Sequence, residues 1–334
     1  MKTEHKIHFT NANQMSIKEG VHLVITSPPY PMIKMWDEMF FQEGDCKNHF
    51  DKKEFREAYY QMHKQLNRVW DKCFDALCDG GIACVNIGDT CRTLDENFYY
   101  FPNHTTITEH FLRLGFQCLP FINWRKPSNK PTKFMGSGML PPSAYPTLEQ
   151  EYILIFRKGH KREIKDIERR RKSAYFWEER NVWFCDCWEK ILGVKQQIDN
   201  EARSRSAAYP LEIPLRLIQM FSIYEDTVLD PFWGMGTTSI AAMLTGRNSI
   251  GYELFPEFQK SFDQQLTSLV ETSKIYTTER MDRHKEFIKD RETKHFNKTH
   301  SFKVITSQEV NMVGFYSVKS LEKSNDDTYL VKYS

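Results

Sequence analysis

Two short runs in this chain bring chemically useful residue types close together. The first is Ser27-Pro28-Pro29-Tyr30, a hydroxyl, a rigid main chain and an aromatic ring within four residues. Two consecutive prolines cannot continue a strand ladder, so the run is a loop, and it directly follows the apolar segment VHLVIT (21–26). Alone, PPY would also suit a ligand for a WW domain. Its place after a buried strand argues instead for the crevice at the carboxyl ends of an α/β sheet, where ligands bind. There Ser27, the Pro28 carbonyl and the Tyr30 face suit a planar base held by its exocyclic amino group. The second run is VLDPFWGMGTTSIAA (228–242): a strand ending at Asp230, a turn at Gly234 and Gly236, and a helix from about Thr237. The glycines let backbone approach a ligand, and the helix N-terminus offers unpaired N–H groups to a carboxylate. The next strand, NSIGYE, ends in Glu253, placed to accept hydrogen bonds from ribose hydroxyls. No lysine follows the glycines, which disfavours triphosphate hydrolysis.

These runs need a scaffold, and the periodicity supplies one. Phe55, Tyr59, Met62, Leu66, Val69 and Phe74 recur near 3.6-residue spacing and predict a helix over about 52–78, stopped by Asp79-Gly80-Gly81. IACVNIGDT (82–90), FQCLPFINW (116–124) and EYILIFRKG (151–159) read as strands. Residues 104–114, closed by Gly115, and 210–221, with Pro210 and Pro214 near its start, read as helices. Residues 257–290 are helix-prone, and the last thirty resemble a small antiparallel β element. Short, non-alternating apolar strands between helices predict a parallel sheet covered on both faces. The segment 125–147, with five prolines and two glycines, is a long loop.

Composition narrows the possibilities. The 334 residues carry 46 Lys+Arg against 44 Asp+Glu, a net charge of +2, so no global polyanion signature exists. At 40% hydrophobic and 14% aromatic the chain can fill a sizeable core. Mean hydropathy is −0.59, no apolar run is long enough to span a bilayer, and the first residues lack a secretory core, so a cytoplasmic protein is expected. Eight scattered cysteines without a CxxC pair read as free thiols, with Cys84 and Cys118 expected to be buried in strands. Cys185-x-Cys187 lacks a second ligand pair, so no metal site is expected.

TSPPY together with DPFWGMGTT resembles the amino DNA methyltransferases, which move a methyl group from S-adenosyl-L-methionine to an exocyclic amine. The chemical motif precedes the cofactor motif, as in the permuted beta class. NIGD (86–89), NWRKP (123–127), EYILIFRKG, AAYPLEIP (207–214) and GRNSIGYE (246–253) extend the resemblance over roughly 20–265. It implies a doubly wound Rossmann-like methyltransferase sheet in circularly permuted motif order, with a small target-recognition insert. The division expected is 1–156 as the catalytic half, 157–206 as the insert, 207–270 as the cofactor half and 271–334 as an extension of unknown role. Ser27, Pro28, Pro29 and Tyr30 would be catalytic. Asp230, Pro231, Phe232, Gly234, Gly236, Thr237, Thr238, Glu253, Tyr209 and Asp89 would bind the cofactor, Asp89 alternatively capping the next element.

By the same analogy Ser27 Oγ and the Pro28 carbonyl accept the two amine hydrogens, aiming the nitrogen lone pair at the methyl group, while Tyr30 stacks on a flipped base. If stacking is its role, Tyr30→Phe is mild. No cysteine follows a proline, which speaks against carbon-5 methylation. In this family Ser before PPY more often accompanies cytosine-N4 methylation, and Asp or Asn adenine-N6, so cytosine is preferred and adenine stays open. RNA or protein-glutamine methylation and a non-catalytic DNA-binding protein are the remaining alternatives. Double-stranded DNA is the expected partner, with a cognate restriction endonuclease at system level, no membrane, and a monomer or homodimer. Residues 157–172 hold nine Lys/Arg against three Asp/Glu. Either Arg169, Arg170, Arg171 and Lys172 contact phosphates, or they form a solvated helix face. Arg203 and Arg205 are further phosphate candidates, and Lys126, Lys130 and Lys133 lie on the loop that would close over the flipped nucleotide.

Overall fold

The segment VHLVIT forms β2 (Val21–Thr26), and its burial explains its continuous apolar character. Val21 and Val24 face one core while Leu23 and Ile25 face the other, so every position but His22 is covered. The computed structural model describes all residues except 127–134, 137–138, 193–208, 313 and 326. Around β2 lie β1 (Lys2–Phe9), β3 (Leu77–Ile87), β4 (Phe116–Arg125), β5 (Gln150–Lys158), β6 (Cys187–Trp188), β7 (Thr227–Asp230), β8 (Asn248–Glu253), β9 (Val318–Asn325) and β10 (Thr328–Tyr333). They build a ten-stranded sheet in the order β6-β4-β5-β3-β2-β7-β8-β1-β10-β9. The run from β3 through β2, β7 and β8 to β1 is parallel, whereas β5 and β10 run antiparallel to their neighbours.

Helices cover both faces. On one, α1 (Phe55–Ala76) and α2 (Asn103–Leu114) pack, with Trp70 of α1 fully buried against Phe111 and Phe232. Truncating such a ring to Ala typically costs about 3–5 kcal/mol, so Trp70 is a firm buttress beneath Phe232. On the other face lie α5 (Glu212–Phe221), α6 (Thr237–Thr245), α7 (Phe258–Leu266) and α8 (Leu269–Ile288). Two short helices, α3 (Ile167–Lys172) and α4 (Trp177–Trp183), precede β6.

Four details depart from expectation. The first residues are a strand: β1 buries Thr3, His5 and Ile7 in alternation, with His5 bonded to Thr3 and Ser249 at 2.9 and 2.8 Å. Burial drives the His5 pKa down to about 3, so the ring is neutral. The helix stops at Ala76, before Asp79-Gly80-Gly81, which belong to β3. At Gly80 (φ +75°) an added Cβ would meet the Arg162 backbone at 2.4 Å, so close packing excludes a side chain there. The C-terminal antiparallel element, β9 with β10, does not stand apart but extends the central sheet through β1. Cys118 is exposed rather than buried, because it points outward from β4, whereas Cys84 is buried as expected.

Candidate active site

Because β2, β3, β7 and β8 are parallel, their carboxyl ends meet at one edge of the sheet, and both motif loops leave from that edge. Between them lies a cleft of ≈ 470 Å³. Ser27, Pro28, Pro29 and Tyr30 line it from one side. Asp230, Pro231, Phe232, Gly234, Thr237, Glu253 and Tyr209 line it from the other. Residues more than 200 positions apart in the sequence therefore face a common space.

The Asp230 carboxylate ties the two halves together. Thr26 Oγ1 donates to it at 2.7 Å from the end of β2, Thr238 Oγ1 at 2.6 Å from α6, and the Phe232 amide at 3.1 Å. Since Thr238 gives its proton to Asp230, the Tyr209 hydroxyl is the donor in its contact with Thr238. Burial pushes the Asp230 pKa up to about 6 despite these bonds. Glu253, half-buried at the tip of β8, accepts from the amides of Gly234 (2.7 Å), Leu254 (2.8 Å) and Phe255 (3.1 Å). A carboxylate has about four lone-pair sites, so one remains for a ligand hydroxyl. Burial raises the Glu253 pKa and the amide bonds oppose that rise.

The two glycines differ. Gly234 (φ +54°) has open space where a Cβ would stand, leaving its backbone exposed to the cleft. At Gly236 (φ +78°) a Cβ would meet the Phe262 ring at 2.4 Å, so here the reason for glycine is packing behind the cleft. Gly236 and Thr238 support the loop without lining the cleft. Asp89 is not brought to the cleft. It caps α2, accepting from the His104 amide at 3.1 Å and pairing with the His104 ring and Tyr100.

The cationic candidates divide. Lys126 lines the cleft, paired with Glu151 and lying 4.8 Å over the Trp124 ring. Lys130, Lys133, Arg203 and Arg205 lie outside the described residues. The basic run goes to the opposite edge of the sheet. β5 starts at the cleft near Glu151 and ends at Lys158, whose ammonium donates to the carbonyls of Phe74 and Leu77 at 2.6 and 2.7 Å. Arg162 then pairs with Asp226, just before β7, at 2.6 and 2.8 Å. From there α3 sits at the amino-terminal edge of the parallel strands, where Arg169 meets Glu225 two residues before β7, away from the carboxyl ends that form the cleft. Its Arg169 pairs with Asp166 and Glu225, Lys172 pairs with Glu168, and Arg170 and Arg171 are exposed.

Two cleft residues escaped the sequence reading. Asn86 and Glu151 are buried on the cleft wall beside Tyr30, one ending β3 and the other opening β5. Both stand inside quoted motifs, NIGD and EYILIFRKG, yet only the antiparallel β3–β5 register reveals that they touch.

A DNA methylase family model, of the N6/N4 type, matches residues 21–264. The chain belongs to the N6/N4 DNA methylase family. It is 45% identical over 324 residues to the Type II methyltransferase M.MthZI of Methanothermobacter thermautotrophicus, covering 95% of this chain and 91% of that protein. It is 49% identical to M.MjaI of Methanocaldococcus jannaschii over 279 residues, covering 79% and 91%. Among solved structures, a Thermus thermophilus protein solved as a DNA modification methylase with S-adenosyl-L-methionine aligns at TM-score 0.63 and 30% identity, covering 80% and 96%. PvuII DNA methyltransferase, cytosine-N4-specific, shares the fold at TM-score 0.51 and 17% identity, covering 78% and 85%. This methylase is thus an S-adenosyl-L-methionine-dependent enzyme acting on amino groups of DNA. The cleft volume is of the size that small-molecule sites have. The open Gly234 backbone, the N-terminus of α6 at Thr237 and the spare lone pair of Glu253 fit the polar parts of that cofactor. Among the described residues no helix is long and apolar enough to cross a membrane, and no group of three or more His, Cys, Asp or Glu could hold a metal.

Proposed function

We propose that this methylase modifies the N4 amine of cytosine in duplex DNA, by flipping the base into the cleft and direct displacement at the methyl carbon. The observation that carries this reading is Ser27 at the head of the PPY loop on the cleft wall, a neutral hydroxyl where adenine-directed members more often carry Asp or Asn. Ser27 Oγ and the Pro28 carbonyl accept the amine hydrogens, and the Tyr30 ring stacks on the extruded base. Bound S-adenosyl-L-methionine supplies the electrophilic methyl group. Glu253 holds its ribose hydroxyls, and Gly234 with the first turn of α6 receives its carboxylate. Catalysis is orientation and electrostatics at the amine. A restriction endonuclease reading the same site is the proposed system-level partner.

The test is incubation with labelled S-adenosyl-L-methionine and plasmid DNA, followed by nucleoside mass spectrometry. N4-methylcytosine is expected. N6-methyladenine alone overturns the base choice, and 5-methylcytosine overturns the displacement mechanism.

A further inference from the structure

We infer that Glu151 is a positioning residue that acts through Tyr30 to make Ser27 a dedicated acceptor, and that it takes up the proton methylation releases. This rests on the reading of Ser27 as the acceptor of the amine. The geometry begins with a carboxylate, which only accepts. Tyr30 Oη donates to Glu151 Oε2 at 2.8 Å, so the one phenolic proton is committed there. Asn86 Nδ2 donates to Tyr30 Oη at 2.9 Å and to Glu151 Oε2 at 2.7 Å. Its Oδ1 has no partner among the described residues, so the amide is oriented entirely by its donor side. Ser27 Oγ lies 3.2 Å from Tyr30 Oη. With the Tyr30 proton already given to Glu151, the serine must be the donor in that contact. The Ser27 lone pairs are thereby left for the amine. Asn86 Nδ2 stands 3.5 Å from Ser27 Oγ, too far to compete strongly. Lys126 holds the second Glu151 oxygen.

A neutral hydroxyl accepts more weakly than a carboxylate, and this chain of bonds supplies the missing negative charge two hydrogen bonds behind it. It also disposes of a proton. When the amine lone pair forms the N–C bond, the S–C bond breaks and its electron pair returns to sulfur, which leaves as a neutral thioether. The nitrogen then carries one proton too many. That proton passes to Ser27 Oγ as the serine proton moves to Tyr30 Oη and the phenolic proton to Glu151 Oε2. The chain ends with a neutral acid at Glu151 and every hydroxyl restored.

The test is the single-turnover methyl-transfer rate of Glu151→Gln and Tyr30→Phe, with DNA and cofactor affinities measured alongside. Each variant should slow transfer by about 100-fold with both affinities within about twofold of wild type, so Tyr30→Phe is not the mild change that stacking alone predicts, because the hydroxyl is a link in this chain. The double variant should be no slower than the slower single one, since both cut the same chain. Wild-type transfer rates in either variant, a loss of DNA or cofactor affinity in place of a slower transfer, or additive losses in the double variant would overturn the assignment. The modified base is identified separately by mass spectrometry, so a methylated adenine refutes the cytosine reading and leaves this test standing.

Discussion

The two edges of the central sheet use their polar groups differently. At the cleft edge the decisive bonds span the chain: Thr26 to Asp230 across 204 positions and Tyr30 to Glu151 across 121. At the opposite edge part of the basic run is balanced close by, Lys172 by Glu168 four residues away and Arg169 in part by Asp166, while Arg170 and Arg171 are exposed. Charge density in a sequence does not by itself place a polyanion, because short-range carboxylates and the fold decide which cations stay free and which way they face. Sparse residues at the ends of parallel strands are a better guide, because the topology forces those ends together.

The largest effect expected is at Asp230. Asp230→Ala strands two buried donors, Thr26 Oγ1 and Thr238 Oγ1, and the part-buried Phe232 amide. At roughly 1–3 kcal/mol each they outweigh the relief of a buried charge, leaving a net loss of about 3 kcal/mol and an inactive cleft. Thermal unfolding with and without cofactor checks this, and an intact Tm would show that the two halves hold without the tie. The pH dependence has a definite sign. The folded pKa of about 6 exceeds the ordinary 3.8, so the native state holds the extra proton. The contribution of this group to stability is full below pH 3.8 and is lost as pH rises through about 6. The change is roughly 3 kcal/mol at 1.36 kcal/mol per pK unit. Asp230→Asn should lack that slope in a denaturant series across pH.

Next in size is Ser27→Ala. It removes the acceptor that matters most as the nitrogen pyramidalises, so turnover should drop ~10–1000-fold while DNA affinity barely changes. A loss confined to binding would reduce Ser27 to a contact residue. Smaller again is Glu253→Ala, with cofactor affinity weakened by about 1–3 kcal/mol in calorimetry. Wild-type affinity there would remove the ribose role.

What was legible follows the same division. Strands buried on both faces announced themselves, and so did helices with a clear 3.6-residue stripe such as α1. The glycine loop was legible because a strand, a turn and a helix follow one another without interruption. β1 was hidden because its buried positions include Thr3 and His5, polar residues that mask the alternation and are satisfied by each other and by Ser249 and Tyr333 from far along the chain. Asn86 and Glu151 were hidden for a related reason. Their role depends on β3–β5 register, which no local pattern encodes. Of the two roles open to Asp89, cofactor contact or cap, the fold gives it the second, with the His104 amide at the start of α2 as its partner.

The smallest effect expected lies at the basic edge, and its smallness is the point. Three phosphate contacts would each contribute about 0.9 to the slope of log affinity against log salt, so losing all three would flatten it by roughly 2.7. Arg169, Arg170 and Arg171 stand at the edge of the sheet opposite the cleft, and Arg169 is already paired. A duplex whose target base enters the cleft approaches the other edge. Neutralising all three to Gln should therefore leave the salt slope, the DNA affinity and the transfer rate unchanged. Stability should fall by less than about 1 kcal/mol, as exposed pairs are worth. Binding isotherms at a series of salt concentrations make the measurement. A slope flattened by two or more would mean that DNA wraps past the cleft to the far edge, and the two edges would then be one continuous binding surface.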